Sequence, residues 1–337
     1  MSGTREAQLG IVSGKKGCGK TFETIRVQIK NTLTGSGGRY KPRKVLILDV
    51  NNEYGSAQEV HKRPDFPNIK ALDIKHLSLW MKQPLVEARR ISVMKPIADG
   101  GGKMNQKELQ ATLSLILDTF RNGLLIIEDL TNFVSDSLPS DLIGSIVTQR
   151  HVSVDVIIHF QSIGKAAHPK LWANANWFRM HVTGDTVAKN KNKLDGVDLV
   201  PLYIAENMIK KKEIFGDKRM YIYYHLNTDA SLVGKITGAF SQLMFKEGFE
   251  EFLSSKNGKA IVREEAEKEE LYSGKKIHPT RADAVNFLIR EAFRKYYGNP
   301  DYKAPAPPQG NGSQQPRKII RPIQPTQTHS TQQNFAR

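Results

Sequence analysis

The octapeptide Gly14-Lys15-Lys16-Gly17-Cys18-Gly19-Lys20-Thr21 constrains this chain more than any other segment. It has the spacing G-x-x-x-x-G-K-[ST]. Glycines there let successive backbone N–H groups turn inward around a phosphate, a following helix N-terminus adds positive potential, Lys20 reaches the outer phosphates, and the Thr21 hydroxyl ligates Mg²⁺. The flanks agree. Leu9-Gly10-Ile11-Val12-Ser13 reads as a short buried strand and about Thr21 to Leu33 as a helix, the order such a loop requires. ATP and Mg²⁺ are the expected cofactors, held by all eight loop residues.

A loop of this kind works with an acidic element on a nearby strand, which holds the metal's water shell and polarises the attacking water. Leu124-Leu125-Ile126-Ile127 is a continuous apolar run, as expected of a strand buried on both faces, and it ends in Glu128-Asp129. Glu128 is expected at the metal, through water, and Asp129 as the catalytic carboxylate. The common order is Asp then Glu, so the division of roles between the two stays open. Gln161 closes the strand expected over Val154 to Phe160, where a glutamine can orient water or sense the terminal phosphate.

Arg150 lies before that same strand. A run of this length spans about 23 Å at ~3.3 Å per residue, so Arg150 and Gln161 fall at opposite ends of the sheet. Arg150 is then either a solvated or salt-bridged arginine, or a finger reaching the nucleotide of a neighbouring subunit in a homo-oligomeric ring.

Lys44 to Val50 is another buried run, with a smaller strand near Ile91 to Met94 and an amphipathic helix over about Gln106 to Asn122. A helix is expected over Leu142 to Arg150, and strands near Phe178–Val182, Met220–Leu226 and Leu232–Thr237, with a helix at Leu202 to Lys211. Strands and helices alternate, which predicts an α/β fold with a mostly parallel sheet flanked by helices. From Phe240 the pattern turns helical, with helices over Phe240 to Ser255 and Arg281 to Tyr297, the latter capped by Thr280 and stopped by Gly298. A charged stretch joins them. The glycine cluster Ala98 to Lys103 reads as a surface loop. Residues beyond Asn299 are rich in Pro, Gln and Thr and read as a disordered tail. The expected division is a P-loop ATPase domain at 1–239, a C-terminal helical region at 240–298 and the tail at 299–337.

Fifty Lys and Arg against 34 Asp and Glu give a formal charge of +16, which favours a polyanionic partner. The clusters Lys189-Asn190-Lys191-Asn192-Lys193 and Lys210-Lys211-Lys212 carry lysines without interleaved aromatics, suited to tracking phosphates rather than reading bases. Cys18 is the sole cysteine, so no intramolecular disulfide can form. At a helix N-terminus its thiol is expected to have a lowered pKa and raised reactivity. The chain shows no signal segment and no run of ~20 apolar residues, which predicts a protein of the cytoplasm without a membrane span.

Taken together, GKKGCGKT, then VLILDVNNEYG with Asp49, Glu53 and Tyr54, then LLIIED, then QRHVSVDVIIHFQS resemble the HerA–FtsK superfamily of DNA-pumping P-loop ATPases, of RecA-like (ASCE) architecture. The Arg-His run before a strand ending in Gln looks particularly like the viral genome-packaging branch. The resemblance covers about residues 8–240. It implies nucleotide and Mg²⁺ at Lys20 and Thr21, the acidic motif at Glu128 and Asp129, a sensor at Gln161 and a finger at Arg150. The Asp49–Tyr54 segment is similar to a strand-end element near the site in HerA-type enzymes, and Asn174 and Asn176 to an asparagine-bearing stretch after the sensor strand. Double-stranded DNA is the implied substrate, a capsid or portal-vertex protein an implied partner, and the host cytoplasm or the virion the implied location; the basic tail residues Arg317, Lys318 and Arg321 either add non-specific contacts, dock a capsid partner or belong to an inert linker. A conjugation or plasmid-mobilisation motor, a filamentous-phage assembly ATPase, and a nucleotide switch that does not translocate are the competing readings.

Overall fold

Successive residues of each central strand face opposite sides of the sheet, and both sides are apolar. Leu46, Leu48, Leu125, Ile127, Val156 and Ile158 enter one core, while Val45, Ile47, Leu124, Ile126 and Ile157 enter the other. Such a sheet needs a cover on each face, and the sequence supplies it. The helix Gln106–Thr119 places Leu109, Leu113 and Ile116 against the larger core, and Ile25 and Ile29, after the phosphate-loop sequence, close the smaller one. Each fully buried side chain of this size contributes about 1.5–3 kcal/mol relative to exposure.

The computed structural model describes residues 6–54, 63, 65–95, 101–129, 140–194, 196–214, 216–226, 235–238 and 240–297. The expected loop at 98–100, the start of the strand expected at 232–237, the stop at Gly298 and the tail from 299 lie outside the described residues. The strands are β1 (Leu9–Ser13), β2 (Lys44–Asp49), β3 (Ile69–Ala71), β4 (Ala88–Ser92), β5 (Gly123–Ile127), β6 (Asp155–Phe160), β7 (Trp177–Met180), β8 (Ile222–His225) and β9 (Lys235–Gly238). They form one nine-stranded sheet in the order β3-β4-β2-β5-β6-β1-β7-β8-β9. Pairings from β3 to β7 are parallel, and β7–β8 and β8–β9 are antiparallel. This is the α/β P-loop arrangement with β6 inserted between the loop-bearing β1 and the acid-bearing β5.

Several elements differ from expectation. β4 starts at Ala88 rather than Ile91, because Arg89 and Arg90 sit inside it and find partners: Arg90 pairs with Asp49 at 3.2 Å and Arg89 with Glu87 at 2.6 Å. The first helix begins as Lys20–Glu23, widens through a π-helical segment at Thr24–Ile29 and continues as Lys30–Gly38, with Gly35, Ser36 and Gly37 already outside helical geometry. The charged stretch after Ser254 is itself a helix, Lys256–Ala266, started by Ser255, whose side chain accepts from the Gly258 N–H. Only a thin buried stripe, Gly258, Val262 and Glu265, carries it, too polar to show as apolar periodicity.

The C-terminal helices share the sheet's larger core. Phe245, Phe249, Phe252, Val262, Ile289 and Phe293 join the same cluster as β1 and β6. Helix Arg281–Ala292 starts at Thr280, as expected, in a reciprocal capping box with Asp283.

Candidate functional site

Parallel pairing brings the chemistry to one edge. Ser13 is level with Phe160, Ile127 with Ile158 and Leu48 with Ile127, so Gly14, Gln161, Glu128 and Asp49 all leave the sheet at its carboxyl end. Loops there enclose a cavity of about 700 Å³ lined by Lys16, Gly17, Gly19, Lys20, Thr21, Glu53, Glu128, Asp129, His159, Gln161 and Arg219, among others. Gly14, Lys15 and Cys18 of the same octapeptide do not line it.

Two backbone requirements shape the loop. Gly19 adopts φ 91° at the helix start, a left-handed conformation that side chains resist. A Cβ on Gly14 would sit 2.7 Å from both Cys18 Sγ and His181 Cβ, inside contact distance. The Gly14 N–H donates to the Phe160 carbonyl at 3.1 Å and the Lys15 N–H to that of Val182 at 2.8 Å, tying the loop entrance to β6 and to the exit of β7. Lys20 folds back across the loop, its Nζ donating to the carbonyls of Gly14 at 2.6 Å and Lys15 at 3.1 Å. The Lys15 ammonium pairs instead with Glu213 at 2.6 Å.

The Thr21 hydroxyl donates to Glu53 Oε2 at 2.5 Å. Glu53 is positioned by buried Asp49, whose carboxylate accepts the Glu53 N–H at 2.9 Å and the Tyr54 N–H at 3.3 Å. Burial pushes Asp49 above the ordinary carboxyl value, against the pull of those two N–H groups and Arg90. A hydroxyl and a carboxylate already in contact are hard oxygen donors of the kind Mg²⁺ accepts.

Glu128 is buried. The Tyr54 hydroxyl donates to its Oε1 at 2.6 Å, and His159 Nδ1 lies 2.7 Å from the same oxygen. Burial pushes this carboxyl up, but the His159 charge and contact, the Tyr54 bond and Lys20 outweigh it, leaving Glu128 below its ordinary value. Burial beside that negative charge drives Tyr54 well above the normal phenol range, so its hydroxyl stays a donor. Asp129 differs in setting. Its backbone is left-handed at φ 43°, tolerated by Asp better than by most residues, and its carboxylate accepts from Gln161 Nε2 at 2.5 Å. The structure thus brings Lys20, Thr21, Glu128, Asp129 and Gln161 to one cavity.

Arg150 is not brought there. It is exposed in the 3₁₀ turn Gln149–Val152 that precedes β6, at the sheet's opposite edge. Asn176 is also at that amino end, its Oδ1 accepting from the Leu9 N–H at 2.8 Å, and Asn174 closes its own helix by donating to Lys170 O at 2.9 Å. Cys18 departs from expectation. It is 2% exposed, and burial raises its thiol pKa against the pull of Lys20 and the loop amides. Among the lysine clusters, Lys189, Lys191 and Lys193 are exposed, whereas Lys210 pairs with Glu206 at 2.6 Å and Lys211 with Glu247 at 3.2 Å. With two of its three lysines paired, the second cluster is a weaker phosphate track than its sequence suggests.

No family model and no curated protein matches the chain. Among solved structures it is similar to the genome-packaging NTPase B204 of Sulfolobus turreted icosahedral virus 2 in complex with ATP-gammaS, at 14% identity and a TM-score of 0.42, covering 69% of this chain and 97% of that one. It is also similar to the pCW3 conjugation coupling protein TcpA in complex with ATPgS, at 11% identity and a TM-score of 0.35, covering 70% and 60%. The N-terminal domain of zonular occludens toxin from Neisseria meningitidis gives 12% identity and a TM-score of 0.28, covering 53% and 79%.

Sequence reasoning missed His159, Arg179 and Arg219. His159 Nε2 contacts Thr24 Oγ1 at 3.0 Å, and Thr24 in turn accepts from Arg179 Nη2 at 2.6 Å. Arg179, fully buried in β7, also donates to the Lys20 carbonyl at 3.0 Å, Gln28 Oε1 at 3.0 Å and the Tyr223 hydroxyl at 3.1 Å. A buried polar chain therefore links the acidic strand end to the helix after the phosphate loop. The signal was a His and an Arg inside otherwise apolar strands, since buried charges are retained where partners hold them. Arg219 follows the turn at Gly216, and its stem passes close to Gly19; nothing local in the sequence marks it.

Proposed function

We propose that the chain is an ATP-hydrolysing motor that moves double-stranded DNA, of the viral genome-packaging kind, working as a homo-oligomeric ring. The observation that carries this reading is the Asp129–Gln161 pair held at 2.5 Å in the cavity that also holds Lys20 and Thr21. In it, Lys20 leaves the loop carbonyls for the β and γ phosphates, and the Thr21 hydroxyl would hold Mg²⁺, which would screen the phosphate charge when bound. Glu128, pinned by Tyr54 and His159, would hold that metal through water. Asp129 takes the proton of the attacking water, and Gln161 positions that water and reports the γ-phosphate to β6. The octapeptide and its fit to phosphate support ATP binding; the motif resemblance and the similarity to B204 support DNA packaging.

ATP turnover measured with and without duplex DNA tests this. Hydrolysis should be present and stimulated by DNA. Lys20→Ala should abolish binding and turnover, and Asp129→Asn should bind ATP but lose about 10²–10⁴ in rate. Turnover indifferent to DNA would overturn the motor and favour a nucleotide switch, and full activity in Asp129→Asn would move the base to Glu128.

A further inference from the structure

Helix Lys256–Ala266 carries Lys256, Lys259 and Arg263 on one face, at spacings of three and four residues, and they line a cleft of about 550 Å³. Lys276 and Arg281, at the entrance to the next helix, face them across it. Glu267 is the single acid lining the cleft. All five cations are exposed, and among the described residues none makes an ion pair. The neighbouring charges pair with each other instead: Glu265 holds Lys268 at 2.7 Å and His278 at 3.0 Å on the opposite face.

This arrangement is electrostatically unfavourable on its own. Lys256 and Lys259 occupy the first turn of their helix, which has no acidic residue, so two cations sit against the positive end of the helix dipole. Such a placement is unfavourable, because like charges meet at the helix end. An anion in the cleft reverses the sign, since cations and helix N-terminus then act together on it. From Lys256 to Arg263 the stripe is about 10 Å long at ~1.5 Å per residue. Duplex DNA presents one charge per ~1.7 Å of axis over its two strands, so a stripe of this length faces several phosphates. The cleft offers no aromatic side chain on which a base could stack, so contact is to the backbone and independent of sequence.

We infer that this cleft is a second polyanion-binding site, one that takes the phosphate backbone of duplex nucleic acid outside the nucleotide cavity. It rests on the proposed function only in the choice of nucleic acid as the polyanion. Its place on the C-terminal helices, rather than on either lysine cluster, gives the chain a grip on DNA that does not depend on nucleotide.

Binding of a labelled random-sequence duplex to the full-length chain, measured by anisotropy across a salt series without ATP, tests the site whether or not the chain hydrolyses ATP. The variant Lys256→Gln/Lys259→Gln/Arg263→Gln should reduce the slope of log K against log salt by about 3, or ~0.9 per lost contact. The charge-matched variant Lys70→Gln/Lys82→Gln/Lys107→Gln should leave the slope near wild type. Lys256→Arg/Lys259→Arg/Arg263→Lys should restore it, which separates charge from folding. An unchanged slope in the first variant, or an equal loss in the second, overturns the proposal. Retained duplex binding with loss of polyglutamate binding overturns it too, marking the cleft as a docking surface for an acidic protein.

Discussion

The Tyr54 hydroxyl donates to Glu128 Oε1 across 2.6 Å, joining the segment after β2 to the acid after β5. Tyr54 is fully buried and Glu128 only 2% exposed at the cavity wall, so this bond replaces hydration that Glu128 lost on burial. Tyr54→Phe removes the donor and leaves a buried carboxylate with His159 as its remaining close partner. The expected cost is about 1–3 kcal/mol of folding stability, read from urea unfolding, with Glu128 shifted upward in pKa. An unchanged midpoint would mean that water takes the hydroxyl's place.

Arg150 and Gln161 bracket the six residues of β6, which at ~3.3 Å each separate them by about 20 Å. Within one chain Arg150 therefore has no route to the nucleotide cavity. Arg150→Ala and Lys20→Ala should each be inactive alone, while a mixture recovers part of the turnover in a protein-concentration-dependent way, because an intact loop then meets an intact arginine. A finger contributes about 10³–10⁵ where well measured, so partial recovery is readable by a phosphate-release assay. Wild-type hydrolysis by Arg150→Ala in the presence of DNA returns the residue to an ordinary surface role.

Cys18 is a packing residue by its surroundings. Its thiol should alkylate at neutral pH about 10-fold or more slowly than a free cysteine, and unfolding should release it. Mass spectrometry of labelled protein in native buffer and in denaturant decides this. Rapid native labelling would show that the loop opens on its own.

Glu265 has a pH consequence that can be signed. Burial raises its carboxyl, but the bonds from Lys268 and His278 prevail and set it below the ordinary value of 4.5. The folded state then binds this proton less readily than the unfolded one. Its contribution is complete above about pH 4.5 and is lost as pH falls through the lower folded value. Glu265→Gln should be less stable than wild type near neutral pH, and the difference should shrink on acidification. A gap constant from pH 7 to pH 3 in thermal melts would show that this pair does not contribute.

The central strands were legible because burial on both faces leaves an unbroken apolar run, as in Val45 to Leu48 and Leu124 to Ile127. The phosphate loop was legible because its chemistry is local in sequence. What escaped is non-local. Trp80 stacks on Phe120 in a short helix, Leu77–Lys82, too brief for periodicity to register. His159 and Arg179 interrupt apolar strands, and their partners lie 135 and 155 residues away at Thr24, a spacing no window reveals. Cys18 was misjudged because the helix end lowering its pKa is visible in sequence, while the burial raising it is not.

Arg179 also limits how far the chain can be shortened. Its guanidinium fork holds the Lys20 carbonyl, Thr24, Gln28 and Tyr223 at once, a geometry that a lysine's single ammonium cannot reproduce. The Tyr223 hydroxyl, which also accepts from Gln28 at 2.6 Å, comes from β8. A truncation placed before β8, where a sequence-minded experimenter would cut to isolate the phosphate-loop half, strips a buried cation of one support and loosens the helix that carries Lys20. The smallest excisable fragment that keeps the loop's scaffolding intact must therefore run past residue 223.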